Sequence, residues 1–226
     1  MPNWCITTIK FYSKNKNAVD NMYREFRKII ERKPTAENDF GAGWLGDFAN
    51  KYFPQYGHEK VDCKGKIEDI VEPEYVEDYK VFTLWTRTAW GAKMKIWDEI
   101  VKMFFPEIQI AYIAEEGGSC YYVKYDNTPG CVFFPEVFYL DGYLPRKDGD
   151  ADFIEEKYSF DSIESIISYL ESILPFEFEH KNDLGALERE IQEKLNDKYN
   201  DEDSQEFYIE IEEFDEVSPS EFKLLM

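Results

Sequence analysis

The segment Lys80–Thr88, KVFTLWTRT, places Val81, Thr83, Trp85 and Arg87 on one side of an extended chain and Phe82, Leu84 and Thr86 on the other. A two-residue period of this kind specifies a strand with at least one face in a core, so the fold must contain a sheet. A second strand is expected from Trp4 to Tyr12, WCITTIKFY, where β-branched and aromatic residues partly alternate. Between the two the period changes. Val19, Met22, Tyr23, Phe26, Ile29 and Ile30 recur at spacings of three and four, which predicts an amphipathic helix from about Asn17 to Arg32, stopped by Pro34.

The turn-rich stretch ENDFGAG is followed by Trp44, Leu45, Phe48, Tyr52 and Phe53 at helical spacing, so a helical insert is expected there. A strand is predicted within Lys60–Val71, with Val61, Cys63, Gly65 and Ile67 on one face, and a hairpin connection over Glu72–Asp78. Lys93–Phe105 is a further amphipathic helix ended by Pro106. Ile108–Ala114 and Ser119–Tyr125 are strands joined by the turn Glu115-Glu116-Gly117-Gly118. The expected fold class is therefore α+β: a ferredoxin-like antiparallel sheet, βαββαβ, with helices on one face and a helical insert.

The remainder differs in kind. Short strands are expected at Glu136–Leu140 and Asp152–Tyr158, a helix capped by Asp161 and running through Leu174, a second helix over Asn182–Tyr199, and a closing strand Phe207–Phe214. This acidic α+β remainder is expected to pack on or beside the first part. Of the 226 residues 43% are hydrophobic and 17% aromatic, far from the composition of a disordered chain. No apolar run approaches the ~20 residues that span a bilayer, and the start MPNWCITTIK has no signal-peptide pattern, so a cytoplasmic protein is expected.

Charge is distributed unevenly. Of 26 Lys+Arg and 47 Asp+Glu, residues 1–134 hold 18 and 20, net −2, leaving 8 and 27, net −19, for residues 135–226. Such a surface repels nucleic-acid backbones and attracts basic partners. The cysteines Cys5, Cys63, Cys120 and Cys131 have no metal or disulfide spacing, and His58 and His180 are isolated. The run Asp197–Glu206 has the charge of a calcium loop without its glycine or spaced terminal glutamate. Nucleotide-loop, nucleophile-elbow and zinc-protease motifs are absent from the sequence. The expectation is a non-enzyme with no catalytic residues, metal or cofactor.

Several stretches together resemble the YubB ferredoxin-like family of phages and plasmids. They are Met1-Pro2-Asn3-Trp4-Cys5, Gly43-Trp44-Leu45-Gly46, Trp85-Thr86-Arg87-Thr88-Ala89-Trp90, the Pro106 stop, Glu115-Glu116-Gly117-Gly118, Phe134-Pro135-Glu136 and Tyr139-Leu140-Asp141. The resemblance covers about residues 1–141 and so implies two domains, 1–141 and an acidic α+β extension, 142–226. It implies a ferredoxin-like domain without an iron–sulfur cluster, encoded by a mobile element and acting in a bacterial host cell. The family turn is often Glu-Glu-Pro-Gly, and Gly117 here replaces the proline.

Two candidate surfaces follow. Glu188, Glu190, Glu193, Asp197, Asp201, Glu202, Asp203, Glu210, Glu212 and Glu213 offer a phosphate-like charge pattern to a basic host protein or ribonucleoprotein complex. That suits an acidic inhibitor of a host defence nuclease, of the anti-CRISPR type, with no direct nucleic-acid or membrane binding. The alternative is a nucleic-acid-binding module that stacks bases on Trp85, Tyr121, Tyr122 and Tyr125. Oligomeric state is left open by the sequence.

Overall fold

The computed structural model describes residues 3–116, 121–135, 137–144, 154–179, 183–199 and 208–225. It is a mixed α+β structure with a mostly antiparallel sheet and several helices. The chain forms two compact units, Met1–Phe134 with Asp215–Met226, and Pro135–Phe214.

The first unit opens with β1 (Trp4–Ser13) and α1 (Lys16–Ile30). The Asn15 side chain caps α1 by accepting from the Asn17 amide. The inserted helix α2 (Leu45–Tyr52) and a helical turn, α3 (Gly57–Lys60), lead into β2 (Gly65–Ile70), β3 (Glu74–Val76) and β4 (Tyr79–Ala89). After these come α4 (Met94–Phe104), β5 (Gln109–Glu116) and β6 (Tyr121–Tyr125). β1 pairs antiparallel with β4 on one side and β5 on the other, β2 pairs with the outer side of β4, and β6 with β5.

Odd residues of β1 point into the core: Cys5, Ile9 and Phe11 join Val19, Met22, Phe26 and Ile29 of α1 and Met94, Trp97 and Ile100 of α4. The aromatic centre is dense, with Phe11 stacked on Phe82 at 5.0 Å and Phe26 edge-on to Phe48 at 5.0 Å. Truncating a ring such as Phe26 to alanine costs about 3–5 kcal/mol. The expected alternation of Val61, Cys63, Gly65 and Ile67 is present, since all four are buried, but the strand proper starts only at Gly65.

The Gly43-Trp44-Leu45-Gly46 stretch has a local physical basis. Gly43 has φ +78°, and its carbonyl accepts from the Ile67 amide at 2.8 Å, covering the outer edge of β2. Gly46 lies under the Trp44 indole, where a Cβ would come within 2.3 Å of the ring.

The second unit holds β7 (Phe138–Leu144), β8 (Ile154–Phe160), α5 (Ile163–Ile173), α6 (Leu184–Tyr199) and β9 (Tyr208–Glu213). Its antiparallel sheet runs β8-β7-β9. Leu140, Ile209 and Ile211 pack with Ile166, Ile167 and Leu170 of α5 and Leu187, Ile191 and Leu195 of α6. The N-cap of α5 is Ser162, not Asp161. The Ser162 hydroxyl accepts from the Ser165 amide, while Asp161 accepts only from the Ser165 hydroxyl.

The chain then returns to the first unit. β10 (Asp215–Glu216) pairs parallel with β6, the Tyr112 hydroxyl donates to the Val217 carbonyl, and Val61 bridges to Leu225. The first sheet therefore runs β10-β6-β5-β1-β4-β2, with β3 also on β4. The boundary between the units thus falls at Phe134/Pro135 where 141 was expected, and residues 215–226 belong to the first unit. The reason is pairing: β7, which contains Tyr139-Leu140-Asp141, bonds to β8 and β9 rather than to the first sheet.

Candidate functional site

The acidic residues of the second unit divide into three groups. Glu188 and Glu190 are engaged within the unit. A Glu188 carboxylate oxygen accepts from the Ile211 amide at 2.6 Å. Glu190 accepts from the Glu179 amide at 3.0 and 3.1 Å and from the Lys194 ammonium. Glu193 and Asp197 are exposed on α6. Asp201, Glu202 and Asp203 lie outside the described residues, as does the expected Gly117-Gly118 turn.

Glu210 and Glu212 form the third group. Along β9 they alternate with the buried Ile209 and Ile211, so they stand on the sheet face away from α6, while Glu213 is exposed at the strand end. Register places Tyr208 opposite Tyr143, Glu210 opposite Asp141 and Glu212 opposite Tyr139. On β7 and β9 this face carries three tyrosines and three carboxylates, and along β8 the residues in register with it are Ser159, Lys157 and Glu155.

Asp141 and Glu210 are like charges directly opposed on β7 and β9, and Lys157 of β8 is in register with Asp141 on its other side. Tyrosine hydroxyls also engage these carboxylates. Tyr208 donates to Asp141 at 3.3 Å and Tyr139 donates to Glu212 at 2.7 Å. Carboxylates set beside tyrosine rings are the complement of an arginine, whose guanidinium binds carboxylate in a planar fork and stacks on aromatic faces. Sequence reading found Glu210 and Glu212 but missed Asp141, Tyr139, Tyr143 and Tyr208. The alternation of FYLDGYL was the available signal, and the predicted strand ended too early at Leu140 to use it.

The four candidate aromatics of the first unit do not share a face. Trp85 registers with Thr8 on the side away from the helices, and Tyr122 registers with Glu115 on that same side, three strands from Trp85, or about 14 Å. Tyr122 is only 8% exposed. Tyr121 and Tyr125 point the other way, against the core. Tyr125 stacks on Tyr112 at 6.3 Å, and burial raises the pKa of the Tyr121 hydroxyl. The exposed neighbours of Trp85 are instead Trp4 and Ile6.

Of the three described thiols, Cys5 and Cys63 are buried and Cys131 is half-buried. Burial pushes the Cys5 thiol up to about 12 and the Cys63 thiol up to about 11, so both are protonated at neutral pH. His58 sits edge-on to Trp44 and its Nδ1 lies 2.9 Å from the Asn50 side-chain oxygen. A cleft of about 380 Å³ beside α4 has Val101, Ile108 and Ile110 in its wall, but its carboxylate, Asp98, already accepts from Lys95 at 3.0 Å and Lys102 at 2.9 Å. Among the described residues no group of three or more His, Cys, Asp and Glu is placed to hold a metal, and no helix is long and apolar enough to cross a membrane. Compared with models of protein families, with curated proteins and with solved structures, the chain matches none.

Proposed function

We propose that this chain is a non-enzymatic, partner-binding accessory protein of a phage or other mobile element. Its acidic second unit docks on a basic host protein or ribonucleoprotein complex, with a host defence nuclease as the class of target. The observation that carries this reading is the tyrosine and carboxylate face of the β8-β7-β9 sheet, where Asp141 and Glu210 are held opposite each other and Glu212 stands beside them. A cationic partner complements the carboxylates of this face. The net charge of −21 steers basic partners toward it and disfavours nucleic acid.

For the first unit the proposal is a ferredoxin-like, YubB-related domain. Support comes from the strand order β5-β1-β4-β2, all neighbours antiparallel, with α1 following β1 and α4 following β4. The quoted sequence stretches point the same way. The test is affinity capture from a bacterial host lysate at low and high salt, with a parallel gel shift on single- and double-stranded nucleic acid. A basic protein complex released by salt, without a gel shift, is the expected result. A gel shift without a protein partner overturns the reading.

A further inference from the structure

We propose that the cleft beside α4 is a binding site for a small uncharged amide, of the cyclic kind found in nucleobases. The cleft has a volume of about 380 Å³, in the range of pockets that enclose small ligands, and lies wholly within the first unit. Its apolar part is built from Val101 of α4, Ile110 of β5 and the preceding Ile108, all buried. The observation that points to a ligand is Tyr12. This residue lines the cleft and is only 1% exposed, yet its hydroxyl has no hydrogen-bond partner among the described residues. Buried polar groups are nearly always paired, so a hydroxyl left in this way calls for an occupant. Asp126 is not that partner, because its two oxygens already accept from Thr128, Phe133 and Phe134. Burial first, and then the Asp126 charge, raise the pKa of Tyr12, so the hydroxyl is a neutral donor at pH 7.

The lining selects the class of ligand. Among the described residues its only charged members are Asp98 and Lys102, which pair with each other at 2.9 Å. Lys95 extends the network, 3.0 Å from both Asp98 and Glu99, so two cations face two carboxylates. Beside the lining, Glu221 accepts from the Ser218 amide and Glu107 from the Asn15 side chain. An anionic ligand therefore meets no unpaired cation and is repelled by these two carboxylates, while a cationic one meets no carboxylate in the lining that is free to pair. What the cleft does offer is neutral hydrogen-bonding groups. Tyr125, Asn127 and Gln109 line it with Tyr12, and their side-chain polar atoms likewise have no partner among the described residues. The carboxamides of Asn127 and Gln109 each set a donor beside an acceptor, the pattern that an amide edge completes with two hydrogen bonds. The tyrosine hydroxyls donate to a remaining carbonyl, and Val101, Ile108 and Ile110 take the apolar body of the ligand. This inference is independent of the reading of the second unit.

The test is calorimetric titration of the full chain with uracil and benzamide, and with benzamidine and benzoate, which keep the shape of benzamide but carry a positive and a negative charge. The two amides should bind with Kd of about 1 mM or tighter, and the charged isosteres about tenfold or more weakly than benzamide. Tyr12→Phe removes a hydroxyl that has no protein partner, so it should leave the urea unfolding midpoint in place while weakening uracil by about fivefold. Asn127→Ala, at an exposed position, should weaken uracil by a similar factor. Failure of both amides to bind, binding indifferent to Tyr12→Phe and Asn127→Ala, or a preference for benzamidine or benzoate over benzamide overturns the proposal.

Discussion

Asp126 satisfies four donors with one buried carboxylate. One oxygen accepts from the Thr128 amide at 3.0 Å and hydroxyl at 2.7 Å, the other from the amides of Phe133 at 2.7 Å and Phe134 at 3.0 Å. These bonds hold the segment that carries Phe133 against Tyr12, ring centres 4.8 Å apart. Asp126→Ala strands three amides and should cost about 2–4 kcal/mol. All five tryptophans (4, 44, 85, 90 and 97) lie in the first unit, so urea unfolding followed by tryptophan fluorescence reads this loss directly. Unchanged stability would show that the carboxylate does not organise the segment. A pH effect belongs to the same scale. Glu25 is held down to about 2, first by its hydrogen bond from Lys51 and then by that from Lys28. A depressed carboxyl contributes stability above its unfolded value, near 4.5, and loses it as pH falls through about 2. The group is one-third exposed, so solvent limits the contribution to about 1 kcal/mol or less. Glu25→Gln should therefore lower stability by that amount at pH 7 and match the wild type near pH 2.

At the scale of elements, β9 is an edge strand whose outward Ile211 amide is capped by Glu188 from α6. An uncapped edge amide is a template for unwanted pairing. Glu188→Ala should accelerate hydrogen exchange at Ile211 by about tenfold or more, corresponding to the ~1.5–3 kcal/mol of a charge-assisted bond. No change in exchange would mean that α6 does not guard the edge. Most elements were legible because periods of two and of 3.6 residues dictate which faces are buried. The ends were less so: β2 starts late because Val61 bridges Leu225, a residue at the far end of the sequence, and no local pattern announces that. Parity alone separates Tyr122 from Tyr121 and Tyr125, so the division of the candidate aromatics was readable from the strand. The engagement of Glu188 and Glu190 was not, because it depends on which backbone amides tertiary packing brings within reach.

For the whole molecule, charge and fold are partitioned along the chain. Residues 1–134 are nearly neutral and build the larger sheet, residues 135–226 carry the net −19, and 215–226 return to the first unit. The central claim is that one face of the second sheet, rather than bulk charge, binds a basic partner. The most direct measurement compares capture of host proteins by the wild type with capture by two variants of equal charge change, Glu210→Arg/Glu212→Arg on the sheet face and Glu193→Arg/Asp197→Arg on α6. The account predicts that the first variant loses the salt-sensitive partner while the second retains it. Equal loss from both variants would contradict it, leaving net charge alone as the cause.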